Sequence, residues 1–146
     1  MLLLVFVFRI VYNARGGRSS HHLNDSCMVE YARKFTHVFV MVADNGIREN
    51  QIYKTVDHFI TFAMKIVPTK VKFAGLTSRK DFSVEFRSNM NKELSFRLKK
   101  LYKSTSLIKR KDFNSRDKAH YDSASGFGAD HLGVLIKSVC EEFEKM

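Results

Sequence analysis

The densest concentration of chemically useful side chains lies between Arg97 and Lys118. Nine lysines and arginines stand there: Arg97, Lys99, Lys100, Lys103, Lys109, Arg110, Lys111, Arg116 and Lys118. Only Asp112 and Asp117 oppose them, and Tyr102 and Phe113 are interleaved. Ammonium and guanidinium groups at that density neutralise phosphates, in contacts that depend on salt and are mostly indifferent to base sequence. A solvated helix face followed by a basic loop would carry the same charges. Lys109-Arg110-Lys111 also has the composition of a nuclear-import signal. The whole chain shares the bias, with 25 Lys and Arg against 15 Asp and Glu and a net charge of +10. Such a surface draws polyanions, nucleic acid first and an anionic membrane surface second.

Other reactive types are sparse. His21-His22 lies in a polar stretch with no second pair at i+4 and no acidic or cysteine ligand at a typical spacing, so no metal is expected there. His58 follows Asp57, and His120 and His131 come late in the chain; none sits in a nucleophile motif. Cys27 and Cys140 are far apart and make no CxxC or zinc spacing. Two free thiols are expected, or one long-range disulfide if the protein is secreted. Arg15-Gly16-Gly17-Arg18-Ser19-Ser20 would let backbone amides approach an anion, but it lacks the order of a P-loop and reads equally as a linker. GxSxG, HExxH, GxGxxG and kinase signatures are missing. The expectation is a non-enzymatic protein with no catalytic residue and no cofactor.

These groups must be carried on one domain, since 146 residues suffice for a core without staples. Met1 to Phe8 is apolar until Arg9 interrupts, too short for the roughly 20 residues that span a bilayer. It also lacks the basic start of a signal peptide. Residues 1–27 are an apolar leader and basic loop of uncertain role: a buried strand, a signal peptide and a dispensable leader ahead of Met28 all fit. Residues 28–146 form a single α+β domain. The expected location is intracellular, nuclear or cytoplasmic, with secretion as the lesser alternative and no membrane span.

Within that domain, His37 to Val42 is β-branched and aromatic and ends at Asp44-Asn45-Gly46, so it reads as a strand. Ile52, Val56, Phe59, Ile60 and Ala63 recur at helical spacing, and Pro68 fits a stop just beyond. Lys70 to Leu76 alternates, with Val71 and Phe73 on one face. Phe82 to Arg87 alternates too, placing Phe82, Val84 and Phe86 inward. Thr77 to Asp81 between them suits a hairpin loop. Asn89 to Lys103 reads as a helix with Met90, Leu94, Leu98 and Leu101 as its stripe. Ser106-Leu107-Ile108 suits a short last strand. Asp112 to Gly128 is loop-like, and Asp130 would cap a last helix on Leu132, Ile136, Val139 and Phe143.

The resulting order, β-α-β-β-α-(β) over residues 37–108, resembles the RNA recognition motif. Val38-Phe39-Val40 looks like that family's first-strand segment, where an aromatic faces RNA. Lys80 to Phe86 looks like the end of its third-strand segment. Aligned on Val84-Glu85-Phe86, Arg79 takes the basic position and Lys80 the glycine position, while Asp81 and Ser83 stand where stacking aromatics belong. The resemblance implies a ferredoxin-like α+β sandwich with an antiparallel sheet, two helices on one face and an extra C-terminal helix. It implies one base stack, from Phe39, worth about 1–3 kcal/mol.

The functional expectation is therefore non-catalytic RNA binding. Phe39 would stack a base, and Arg79, Lys80, Lys99, Lys100, Lys103, Lys109, Arg110 and Lys111 would contact phosphates. One alternative is a protein-interaction module, with the C-terminal helix lying across the sheet or meeting a partner. A basic domain with no nucleic-acid role is the other.

Overall fold

The computed structural model describes residues 11, 18–41, 51–76, 83–103, 141 and 145. Their order is a 3-10 turn Ser20–Asn24, α1 Ser26–Ala32, β1 His37–Val40, α2 Ile52–Lys65, β2 Lys70–Ala74, α3 Val84–Leu98, a 3-10 turn Lys99–Leu101 and β3 Tyr102–Lys103. Helix and strand are mixed, as expected. The sheet has three strands in the order β1-β2-β3, every neighbouring pair parallel.

The parallel pairing corrects the expected antiparallel sheet, and it follows from the connections. Parallel neighbours need a crossover of a dozen or more residues, usually a helix. The 14 residues of α2 carry the chain from β1 to β2, and the 15 of α3 carry it from β2 to β3. Residues 77–82, 104–140, 142–144 and 146 lie outside the described residues, and with them Thr77 to Asp81, the short strand at Ser106–Ile108 and most of the C-terminal segment.

The second correction concerns Phe82 to Arg87. Its described residues from Val84 onward form the first turn of α3, where a strand was expected. A two-residue period over so short a window competes with a longer helical one. Phe86, Met90, Leu94 and Leu98 recur every four residues and point into one core, with Leu94 and Leu98 buried. Val84, inward under the strand reading, is 76% exposed. Ser83 decides the start: its Oγ accepts from the Phe86 amide at 3.0 Å, and Glu85 favours the positive end of the helix. The helix stops at Leu98 rather than Lys103. Lys99 turns the chain at a φ of 50°, a positive value that costs a side-chain-bearing residue energy, and the 3-10 turn leads directly into β3.

The core sits between the sheet and its helices. Val40, Val71 and Phe73 meet Val56, Phe59 and Phe62 of α2 and Leu94 and Leu98 of α3 in one cluster. Phe59 stacks on Phe73 at 4.3 Å between ring centres, nearly coplanar at 9°, and Phe62 meets the same ring edge-on at 6.4 Å. Phe62 replaces Ile60 in the expected stripe; Ile60 is 38% exposed. On the N-terminal side, Leu23, Val29 and Ala32 extend the same cluster, so Ser20 and Leu23 of the expected leader are buried. Arg33 Nε donates to the Lys65 carbonyl at 2.8 Å, satisfying the end of α2 with a cation at its negative pole. Thr69 Oγ1 donates to the Phe35 carbonyl at 2.8 Å and sets the start of β2 beside β1.

Gly75 closes β2 onto α3 and β3. A Cβ there would strike Asn91 Oδ1 and the Tyr102 hydroxyl, while Asn91 Oδ1 accepts from the Leu76 amide at 2.8 Å. Two substitutions test this packing. Phe73→Ala is expected to cost about 3–5 kcal/mol in urea denaturation, against little for Phe96→Ala, whose ring is 75% exposed. Gly75→Ala is expected to cost about 1–3 kcal/mol through the forced shift of Asn91 and Tyr102.

Candidate nucleic-acid interface

A strand presents alternate residues to opposite faces, and partners across a parallel pair share a face. The register pairs Val38 with Val71 and Val40 with Phe73, the face that meets the helices. It pairs His37 with Lys70 and Phe39 with Lys72 on the other face. An imidazole, an aromatic ring and two lysines thus occupy two adjoining rows, about 4.8 Å apart across the strands and about 6.6 Å along them. Lys70 is exposed; His37, Phe39 and Lys72 are half-buried.

Lys72 ties this face to the turn before β3. Its Nζ donates to the Lys100 carbonyl at 2.7 Å. An ammonium has three donors and this bond uses one. The tether also draws the turn Lys99–Leu101, with exposed Lys99 and Lys100, alongside Lys72. His37 Nδ1 lies 2.9 Å from Thr36 Oγ1. Lysine stems can lie along the sheet while their heads reach solvent, and the register places Lys72 beside the half-buried Phe39.

The expected site residues divide accordingly. Phe39 is on the sheet face opposite Val38 and Val40, in register with Lys72. Lys99 and Lys100 flank that face, and Lys103 lies in β3 with its backbone in register with Ala74. Arg79, Lys80, Lys109, Arg110 and Lys111 lie outside the described residues. Lys70 and Lys72 were missed. Their signal was present in the sequence: they occupy the polar phase of an alternating strand whose apolar phase is Val71 and Phe73.

A second polar cluster joins the first 3-10 turn to α2. Ser20 Oγ lies 2.9 Å from His58 Nδ1, a pairing that in an open site would suggest a nucleophile and its base. Ser20 is only 4% exposed. Asp57, adjacent to His58 in sequence, projects from another side of the helix. Among the described residues no group of three or more His, Cys, Asp or Glu is placed to hold a metal ion. No described helix is long and apolar enough to cross a membrane.

Comparison with protein families, with characterised proteins and with solved structures finds no match to this chain.

The turn after α3 carries its own test. Lys99→Gly is expected to relieve the positive-φ strain and raise stability by up to about 1 kcal/mol, read as a higher urea midpoint. Lys100→Gly, without that backbone constraint, is expected to give no gain.

Proposed function

We propose that this chain is a non-catalytic RNA-binding domain that holds a single strand against the sheet face opposite its aromatic core. The observation that carries the reading is the register of β1 and β2, which sets Phe39 beside Lys72 and His37 beside Lys70. Phe39 offers a base one stacking surface, and Lys70, Lys72, Lys99, Lys100 and Lys103 neutralise the backbone, with Arg79, Lys80, Lys109, Arg110 and Lys111 adding phosphate contacts. The sheet surface is used as in the RNA recognition motif, although the reading does not require a ferredoxin-like strand order. One stack and many phosphate contacts make affinity largely electrostatic and sequence selectivity low. The domain would work in the nucleus or the cytoplasm, where RNA is available.

A second reading, a protein-interaction module, is favoured by the exposed apolar residues Tyr53, Met64 and Val67, the last 69% exposed. They follow one line along and just beyond α2. Arg97 already lies over the Tyr53 ring at 4.2 Å, which covers part of that line.

The test is titration of a labelled single-stranded RNA pool at low and at physiological salt. Binding is expected to weaken steeply with salt, and Lys70→Ala, Lys72→Ala and Lys100→Ala are each expected to lower the log–log salt slope by about 0.7. Phe39→Leu keeps the bulk but loses the stack, with an expected loss of affinity of roughly five- to hundredfold and little change in slope. The triple change Lys109→Ala, Arg110→Ala and Lys111→Ala should lower affinity and slope together. Absence of binding at low salt would overturn the RNA reading and leave the protein-interaction module.

A further inference from the structure

α2 carries two apolar rows. Val56, Phe59 and Phe62 are buried in the core. Tyr53, Ile60 and Met64 form a second, exposed row, and Val67 continues it just past the helix end. Spacings of seven and then four residues hold the three helical members within about 40° of one another, roughly a third of a turn from the buried row. Arg97 of α3 lies over the Tyr53 ring at 4.2 Å and pairs with Glu93 at 3.3 Å, which steadies the ring at one end of the row. Apolar side chains scattered singly on a surface are ordinary, whereas a continuous row marks a contact surface.

The row is arranged about its own centre. Tyr53 and Val67 stand equally far from Ile60 in sequence. Where two copies of α2 cross antiparallel at Ile60, that residue meets its own equivalent and Tyr53 meets Val67. Met64 then falls between the other copy's Ile60 and Tyr53. This is the self-complementary geometry of a two-fold contact. The flanking charges fit the same arrangement. Asp57 and Lys65 are exposed on one flank of the row, and neither forms an ion pair among the described residues. Equivalent flanks meet in an antiparallel pair. Asp57 comes within two positions of the other copy's Lys65, about 3 Å along the axis. The two-fold repeats that pair. In a parallel arrangement the charged flanks would lie on opposite sides of the contact, and Asp57, the only acid of α2, would meet no lysine across it.

We propose that a second copy of this chain docks on the row from Tyr53 to Val67, α2 against α2, antiparallel about Ile60. The contact is one helix wide on each side, so affinity on the order of micromolar is expected. Lys54 lies on the charged flank as well, and a net charge of +10 on each copy opposes approach until salt screens it. Association therefore strengthens from low to physiological salt, the opposite of RNA binding. The inference does not rest on RNA binding, because α2 packs on the Val40 and Phe73 side of the sheet and Phe39 and Lys72 lie on the other.

Sedimentation equilibrium of the full chain, free of nucleic acid and up to about 200 μM, reads the contact directly as a monomer–dimer equilibrium. Ile60→Lys sets two cations against each other at the axis and is expected to weaken the dimer at least about a hundredfold, with the fold checked by circular dichroism. If that variant does not fold, Met64→Lys, at a side chain 73% exposed, replaces it. Asp57→Lys and Lys65→Asp are each expected to weaken association about three- to thirtyfold, since each turns two attractive pairs into repulsive ones. Changing residue 65 leaves its backbone carbonyl in place to accept from Arg33. The two reversals combined restore the pairing with its sense exchanged, and the dimer should recover to within about threefold of the unmodified chain. A monomer at every concentration overturns the proposal and leaves the row to a different protein. A dimer indifferent to Ile60→Lys or Met64→Lys overturns it too, as does a double reversal no tighter than the single ones.

Discussion

The stack of Phe59 on Phe73, with Phe62 against the edge of the same ring, is the contact on which the remaining architecture turns. It fastens α2 to β2, which among the described strands is the one with neighbours on both sides. Burying three phenylalanines contributes about 1.5–3 kcal/mol each, and favourable ring geometry adds about 0.5–1.5 kcal/mol per pair. A net stability of about 5–15 kcal/mol is ordinary for a domain of this size. Three rings thus represent a large share of what separates folded from unfolded chain.

Once α2 is fixed on β2, the sheet acquires two unlike faces. One is apolar and dry, shared by Val40, Val71 and Phe73. The other carries His37, Phe39, Lys70 and Lys72, because the two-residue alternation of each strand leaves it no other choice. The tether from Lys72 to the Lys100 carbonyl extends the basic face toward the turn before β3, where Lys99 holds the chain in a conformation usually left to glycine. The positive potential of the chain therefore has a local shape here, with an aromatic ring set among lysines. The first 3-10 turn is attached by hydrogen bonds from Ser20 and Asn24 to His58 and by the burial of Ser20 and Leu23.

Parts of this were legible beforehand. The strands at His37 and Lys70, the helix beginning at Ile52 and the stripe Met90, Leu94 and Leu98 all follow from periodicity, and the place of Phe39 opposite the core follows from strand parity. The stretch from Phe82 misled because Phe82, Val84 and Phe86 fit a two-residue period, whereas only Phe86 belongs to the helical stripe. The competing evidence was the Ser83 cap and the continuation to Leu94 and Leu98. Lys70 and Lys72 stand out less in the sequence than the denser charge after Arg97, since each is a single cation in the polar phase of a short strand.

The sequence by itself determined which segments are amphipathic, how basic the chain is and which phase of each strand is polar. Those properties are local, set by residue type and by the two repeats of the backbone. Strand direction, the partnership of Phe39 with Lys72, the reach of Lys72 to the Lys100 carbonyl and the grouping of His21, His22 and His58 were decided only in the tertiary structure. Each joins residues separated by tens of positions, and such contacts depend on how helices cross over and bury their stripes, which no local repeat encodes.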